Sequence, residues 1–440
     1  MKSTITCDME GVIETMNTDA EKIFGYKKEE LIGKKRVSIF SPGEIVLQNV
    51  EGWLNEAVKN GEYKGETYFI HKSGKKINAK IRITPTFKNG KNHPQTGYCG
   101  VTEVIDKEVN VDIKFTTKLI KALAITRMPF TSASLLPVFV IGAYFAGASA
   151  DFMTSSFILT IFGILIAHLG LNVFNDYFDV KDGTDEANAE YFQQVSGGSR
   201  AIELGLITLK GTRQLAITLT IIALIIGGII LTSAHSANIN GIIITGLAGL
   251  FLGYFYTAQP LRLVARRGLG ELAIFLAFGP LLTIGTGFAI YAGDFFATTT
   301  ATGTEINHFM NCLLLGVPLG LLTTNILLIN EFPDMKSDAT TNKNHLVVTF
   351  GKKVSRWIYF ILLVLAVSSS YYMYDTIKQS ALLIPTIFCL LFGIYIFQHI
   401  LKHYELRSLQ WANWRTIALQ GIYSIILCAC LMGWLDKVFS

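Results

Sequence analysis

The sequence predicts an all-α polytopic membrane protein of nine transmembrane helices, carrying an α/β domain at its N-terminus. Three observations point there. The chain has 440 residues, of which 50% are hydrophobic and only 16% charged, against about 25% charged in soluble domains; mean hydropathy is +0.41. Its polarity is uneven: residues 1 to about 115 are rich in Lys and Glu, and the remainder is a succession of apolar runs. Among those apolar runs a pair of acidic clusters survives, N-D-Y-F-D-V-K-D-G-T-D (Asn175 to Asp185) and N-E-F-P-D-M-K-S-D (Asn330 to Asp338).

The domain order follows from the same composition. Residues 1–110 form the soluble domain, 111–122 a short linker expected to be helical, and 123–440 the membrane domain. The first apolar run comes after the soluble region rather than at the N-terminus, so no signal peptide is expected and the head stays in the cytoplasm. A net charge of +5, small and scattered, excludes a nucleic-acid footprint. The six cysteines, Cys7, Cys99, Cys312, Cys389, Cys428 and Cys430, have no metal-ligand spacing and read as free thiols, four of them in apolar stretches.

In the soluble head, T-C-D-M-E-G-V-I-E-T-M-N places a glycine turn between short alternating segments, and Ala20 to Phe24 reads as a short helix. Thr67 to Ile70 and Ile77 to Thr84 are two strands across the H-K-S-G-K-K turn, and Gly97 to Val104 is a further strand closing on Asp106. This order, with N-x-x-A-x-x-I-F-G-Y-x-x-x-E-L-I-G and the final G-Y-x-G-V-x-x-V-x-D, resembles the PAS sensor domain over about 100 residues. The resemblance implies a bound haem, flavin or metabolite, or a PAS-mediated homodimer; the ligand is left open. His71 reads as a loop histidine rather than a haem ligand, and Trp53 as packing.

About 20 apolar residues cross a bilayer. Runs of that length fall near 123–147, 154–175, 214–233, 240–258, 270–292, 309–331, 357–374, 381–401 and 416–435. Connections after even-numbered spans carry about fifteen Lys and Arg, and those after odd-numbered spans only Lys378. By the positive-inside rule the N-terminus is inside and the C-terminus outside. Both acidic clusters end even-numbered spans. They therefore share the cytoplasmic side with the soluble head and are free to converge.

Asn330, Asp334 and Asp338 are spaced i, i+4, i+8, one face of a continuous helix; Asn175 and Asp179 repeat the spacing, with Asp182 and Asp185 following. A carboxylate at the centre of a membrane helix costs about 2.5–3.5 kcal/mol. Hard divalent cations such as Mg²⁺ compensate such acids and take phosphate oxygens as further ligands. The pattern therefore reads as a site for a metal-bound diphosphate, with the lipid bilayer around it.

From about residue 115 to 440 the chain resembles the UbiA superfamily of intramembrane aromatic prenyltransferases. The long spacing from Asp179 to Asp185, with Gly183 between, resembles the branch that prenylates 1,4-dihydroxy-2-naphthoate in menaquinone biosynthesis (MenA-like). V-S-G-G-S-R (Val195 to Arg200), Y-T-A-Q-P-L (Tyr256 to Leu261), G-L-G-E (Gly268 to Glu271) and K-N-H-L-V-V (Lys343 to Val348) agree with that branch. Asn342, where a glycine usually precedes the lysine, departs from it.

The resemblance implies a Mg²⁺-dependent prenyltransferase acting on a polyprenyl diphosphate and an aromatic acceptor. Asn175, Asp179, Asp185, Asp334 and Asp338 would hold the metal, and Asp179, Asp334 and Asp338 with Tyr256 would be the catalytic set. Asn175, Ser199, Arg200, Lys343 and Arg127 would hold the diphosphate. Tyr256 would present its ring to an allylic cation. His168 and Asn172 read as interhelical hydrogen-bonding groups or acceptor contacts, and Asp176 and Asp182 are ambiguous. Arg262, Arg266 and Arg267 read as topology determinants. Plainer alternatives stay open: capping acids, ordinary inner-face cations and an interfacial tyrosine. So do other acceptors (4-hydroxybenzoate, a chlorin, haem, a glycerol phosphate lipid) and a PAS-gated membrane transporter or sensor.

Overall fold

The computed structural model describes residues 1–90, 92–148, 152–183, 198–301, 304–377 and 379–435, in two compact units. The first comprises Met1–Thr126 and Ser199–Gly211, the second Arg127–Gly198 and Thr212–Ser440.

The first unit is built on a five-stranded antiparallel sheet of order β2-β1-β5-β4-β3. The strands are β1 (Lys2–Asp8), β2 (Ile13–Met16), β3 (Tyr63–Ile70), β4 (Lys76–Thr86) and β5 (Gly97–Val104), matching the expected strands and extending most of them by a few residues. Helix α1 (Thr18–Phe24) starts where the Asn17 side chain accepts from the Ala20 N–H at 2.9 Å, and stops at Gly25, whose φ of 78° suits glycine. Ile23 and Phe24 from α1 close a core with Ile5, Ile13, Leu31 and Phe40. His71 is tied into its own turn through Ser73 at 2.8 Å. Trp53 stacks on Tyr63.

Residues 123–126, expected within the first span, belong to a separate helix, Phe115–Thr126. Arg127 breaks the chain there with φ of 51°, and Pro129 opens the next turn. This helix is held on the head by Lys121 to Glu44 at 2.6 Å and Thr117 to Gln48 at 2.8 Å. Segment 199–211 packs on the same region of the head. At Gly43 a Cβ would collide with the Leu204 carbonyl oxygen and lie 2.5 Å from Leu206, so glycine is required for the approach.

Among the described residues of the chain, nine helices are long and apolar enough to cross a membrane: Met128–Gly147, Thr154–Lys181, Leu209–Ser233, Ser236–Thr257, Leu269–Ile290, His308–Thr340, Leu346–Ile377, Ser380–His403 and Arg407–Leu431. The fifth breaks at Gly279–Pro280, where Gly279 lies against Gly316 and Gly320 of the sixth; small residues let the two backbones approach. The sixth runs nine residues beyond its expected end at 331, because the acidic motif is itself helical. The seventh starts eleven residues before its expected start at 357 and bends at Gly351 (φ 75°).

Pro333 lies inside the sixth span and has no N–H to give the Ile329 carbonyl. Asn413 of the ninth span replaces it, donating to Ile329 O at 3.2 Å and to Asn330 Oδ1 at 2.7 Å. Asn413→Leu removes both donations inside the bundle. The expected cost is about 1–3 kcal/mol for the groups left unsatisfied, read as a lower Tm of the detergent-solubilised protein.

Candidate functional site: two acidic helix ends joined by a lysine

Asn175, Asp176 and Asp179 lie on the last two turns of the second span, and Asp334 and Asp338 on the last two turns of the sixth. Lys343, in the turn after the sixth span, has its Nζ 3.6 Å from Asp179 Oδ1 and 3.8 Å from Asp338 Oδ2. The two motifs, about 160 residues apart in sequence, thus meet within the length of those two contacts laid end to end. Asp338 is buried and Asp179 half-buried, so their charges are weakly screened and require a cation nearby.

Neighbouring groups hold this junction. Thr257 Oγ1, at the end of the fourth span, donates to Asn175 Oδ1 at 2.9 Å. Tyr256, beside it, is within electrostatic range of Glu331, Glu271, Asp179 and Asp338. Arg262 sits 3.1 Å from Asp182 Oδ2 and donates to the Thr341 carbonyl at 3.1 Å, joining the two motif ends. Beside its reading as a topology determinant, it thus bridges the two motif ends. Asp182 caps the second span and pairs with that arginine. Arg127 lies 3.9 Å from Asp176 and stacks over Phe130. His168 bonds Ser134 at 2.7 Å and lies edge-on to Phe278; interhelical hydrogen bonding is what the structure gives it.

Sequence reasoning passed over Glu271, Glu331 and His345. All three are buried. His345 stands between Glu331 (3.1 Å) and Asp338 (3.2 Å), and Glu271 accepts from the Leu346 N–H at 2.7 Å. Burial opposes a charge on His345, but the two carboxylates outweigh it and push its pKa up to about 9. The signal was available, since each is a polar residue inside or beside a quoted motif. Nothing in the spacing said that they would meet.

Ser199 and Arg200 lie in the segment grouped with the head, where Arg200 pairs with Glu203 at 3.0 Å. Asp185 and Val195 to Gly197 lie outside the described residues.

Among the described residues no three His, Cys, Asp or Glu side chains are drawn together tightly enough to hold a metal ion by themselves. The donors the two motifs bring together are carboxylates and an amide oxygen, with one flexible ammonium between Asp179 and Asp338. That donor chemistry fits a hard divalent cation that also takes oxygens from its substrate.

The model of the UbiA prenyltransferase family matches residues 134–419, and that of the PAS domain residues 2–103. The chain belongs to the UbiA prenyltransferase family, with a PAS domain at its N-terminus. It is 28% identical over 261 residues to a 2-carboxy-1,4-naphthoquinone phytyltransferase of Arabidopsis thaliana, covering 55% of this chain and 60% of the relative. It is 28% identical over 229 residues to the 1,4-dihydroxy-2-naphthoate octaprenyltransferase of Bacillus subtilis, covering 52% and 65%. The chain thus spans less than two thirds of the length of these relatives. A UbiA homolog from Archaeoglobus fulgidus, solved bound to GPP and Mg²⁺, shares the fold at a TM-score of 0.52 and 13% identity, covering 72% of this chain and 99% of that one.

Proposed function

We propose that the protein transfers a polyprenyl group from its diphosphate to an aromatic acceptor, 1,4-dihydroxy-2-naphthoate, as a step of menaquinone biosynthesis. The carrying observation is Lys343 between Asp179 and Asp338, one acid from each motif. The naphthoate acceptor is supported by the names of the relatives, a 2-carboxy-1,4-naphthoquinone phytyltransferase and a 1,4-dihydroxy-2-naphthoate octaprenyltransferase. The parity of positive charge supports a site and a PAS domain at the cytoplasmic face of the cell membrane.

Asn175, Asp179, Asp334 and Asp338, with Asp185, would hold Mg²⁺, which when bound supplies Lewis-acid neutralisation of the leaving pyrophosphate. Lys343 and Arg127, with Ser199 and Arg200, hold diphosphate oxygens. The C1–O bond of the prenyl diphosphate breaks, its electron pair leaving with pyrophosphate. The allylic cation is captured by an electron-rich ring carbon, which then loses its carboxyl group as CO₂ in the naphthoate case, or a proton otherwise. Tyr256 shields the cation from water and faces it with its ring.

Membrane vesicles given Mg²⁺, a labelled prenyl diphosphate and a panel of aromatic acceptors are expected to prenylate the naphthoate. A panel without product, together with measurable cation flux, would overturn the enzyme reading in favour of a gated transporter. Tyr256→Phe keeps the ring and should retain most activity. Tyr256→Ala removes it and should cost about 10–30-fold in kcat, in line with the roughly 2 kcal/mol of a desolvated cation–π contact. Equal losses in the two variants would shift the role to the hydroxyl.

The PAS domain is proposed to tune the enzyme. Deleting residues 1–110 should alter its regulation and spare the chemistry, and an equally responsive truncated enzyme would rule the idea out.

A further inference from the structure

We propose that His345 is a positioning residue for the second acidic motif, acting with Glu331 to hold Asp338 toward the diphosphate site. The inference rests on the reading of Asp338 as a group that serves the metal diphosphate.

Glu331 and Asp338 are seven residues apart on one helix, two turns along the same face. The imidazole of His345 lies against both, Nδ1 3.1 Å from Glu331 Oε2 and Nε2 3.2 Å from Asp338 Oδ2. The ring is 0% exposed. Burying an acid beside a membrane helix end costs several kcal/mol unless it is paired. Packing alone would be better served by an apolar residue at position 331.

The turn that carries His345 also carries Lys343. The Lys343 N–H donates to the Asp338 carbonyl at 2.9 Å, and the Leu346 N–H, one residue past His345, donates to Glu271 at 2.7 Å. The chain from 343 to 346 is therefore pinned to the sixth span on one side and to the fifth on the other. His345 fixes the rotamer of Asp338 and, with its neighbours' backbone bonds, sets where Lys343 stands. Without the ring, Asp338 is free to turn toward Lys343 alone, and Glu331 loses the imidazole that lies against it.

Groups that orient metal ligands commonly contribute about 10–100-fold to metal affinity, and that sets the expected size. The test uses the full chain in nanodiscs and titrates geranyl diphosphate with Mg²⁺ by calorimetry, alongside steady-state kinetics. His345→Ala should weaken binding about 10–100-fold and raise KM for the prenyl diphosphate, with KM for the acceptor unchanged. His345→Gln, which keeps one of the two contacts, should recover some of the loss. Glu331→Gln should weaken binding by a smaller factor. Adding His345→Ala to Asp338→Asn should cost nothing further, because the ring acts through that acid. Wild-type affinity in His345→Ala, with affinity lost in Asp338→Asn, would overturn the proposal and leave the function intact. Failure of the unmodified protein to bind magnesium geranyl diphosphate would overturn the functional reading itself. If His345→Ala does not fold, the Gln variants at 345 and 331 decide the matter by the same titration.

Discussion

Lys343→Ala is expected to lower kcat/KM for the prenyl diphosphate by about 10²–10³-fold, the usual effect of removing one preorganised charge that meets developing negative charge. Near a protein surface a unit-charge pair about 4 Å apart interacts by roughly 4 kcal/mol, and Lys343 makes two such contacts, at 3.6 and 3.8 Å. Without substrate the ammonium keeps Asp179 and Asp338 from repelling one another. With Mg²⁺ and a prenyl diphosphate present, Asp179 and Asp338 would be among the residues that hold the metal, and the Lys343 ammonium would be available to diphosphate oxygens. Lys343→Arg retains the charge and should lose less, although its planar fork cannot reproduce a point contact to both acids. Single-turnover kinetics separate this from a folding defect. A Lys343→Ala protein of normal Tm and normal turnover would show that the lysine only neutralises the resting acids.

The second large effect concerns the acids as a pair. Asp179→Asn and Asp338→Asn should each reduce kcat by about 10³-fold, and the double variant should be little worse than either alone. Groups that serve one ion cluster act as a unit, so their losses do not multiply. Fully multiplicative losses, near 10⁶-fold, would mean that the two motifs act at independent sites. The measurement is kcat for the four proteins at saturating Mg²⁺, because weakened metal binding would otherwise masquerade as lost chemistry.

Much of this was legible in the amino-acid order. Run lengths of about 20 apolar residues and the lopsided distribution of Lys and Arg predicted nine spans and their direction. Parity then placed Asn175–Asp179 and Asp334–Asp338 at one end of the bundle, where the structure joins Asp179 and Asp338 through Lys343. Helical spacing correctly set Asp334 and Asp338 on a single helix. The PAS strands followed from alternation and glycine turns.

What spacing could not supply was pairing. Arg262 looked like one of three inner-face arginines, and only the fold takes it to Asp182 and Thr341. Asn413 carries no signal in the ninth span, yet it supplies the hydrogen bond that Pro333 cannot. Glu331 and His345 are fourteen residues apart and separated by a turn, so no helical period relates them.

The sequence by itself determined which segments are long and apolar enough to cross a bilayer, and it predicted their direction and the side on which the carboxylates lie. Those properties depend on transfer free energy and on charge, and both are sums over local composition. Tertiary structure decided which cation meets which acid, and that the segment bearing Ser199 and Arg200 folds with the PAS domain. Ion pairing and close backbone packing act over a few ångströms, and only the folded chain brings residues from distant spans that near.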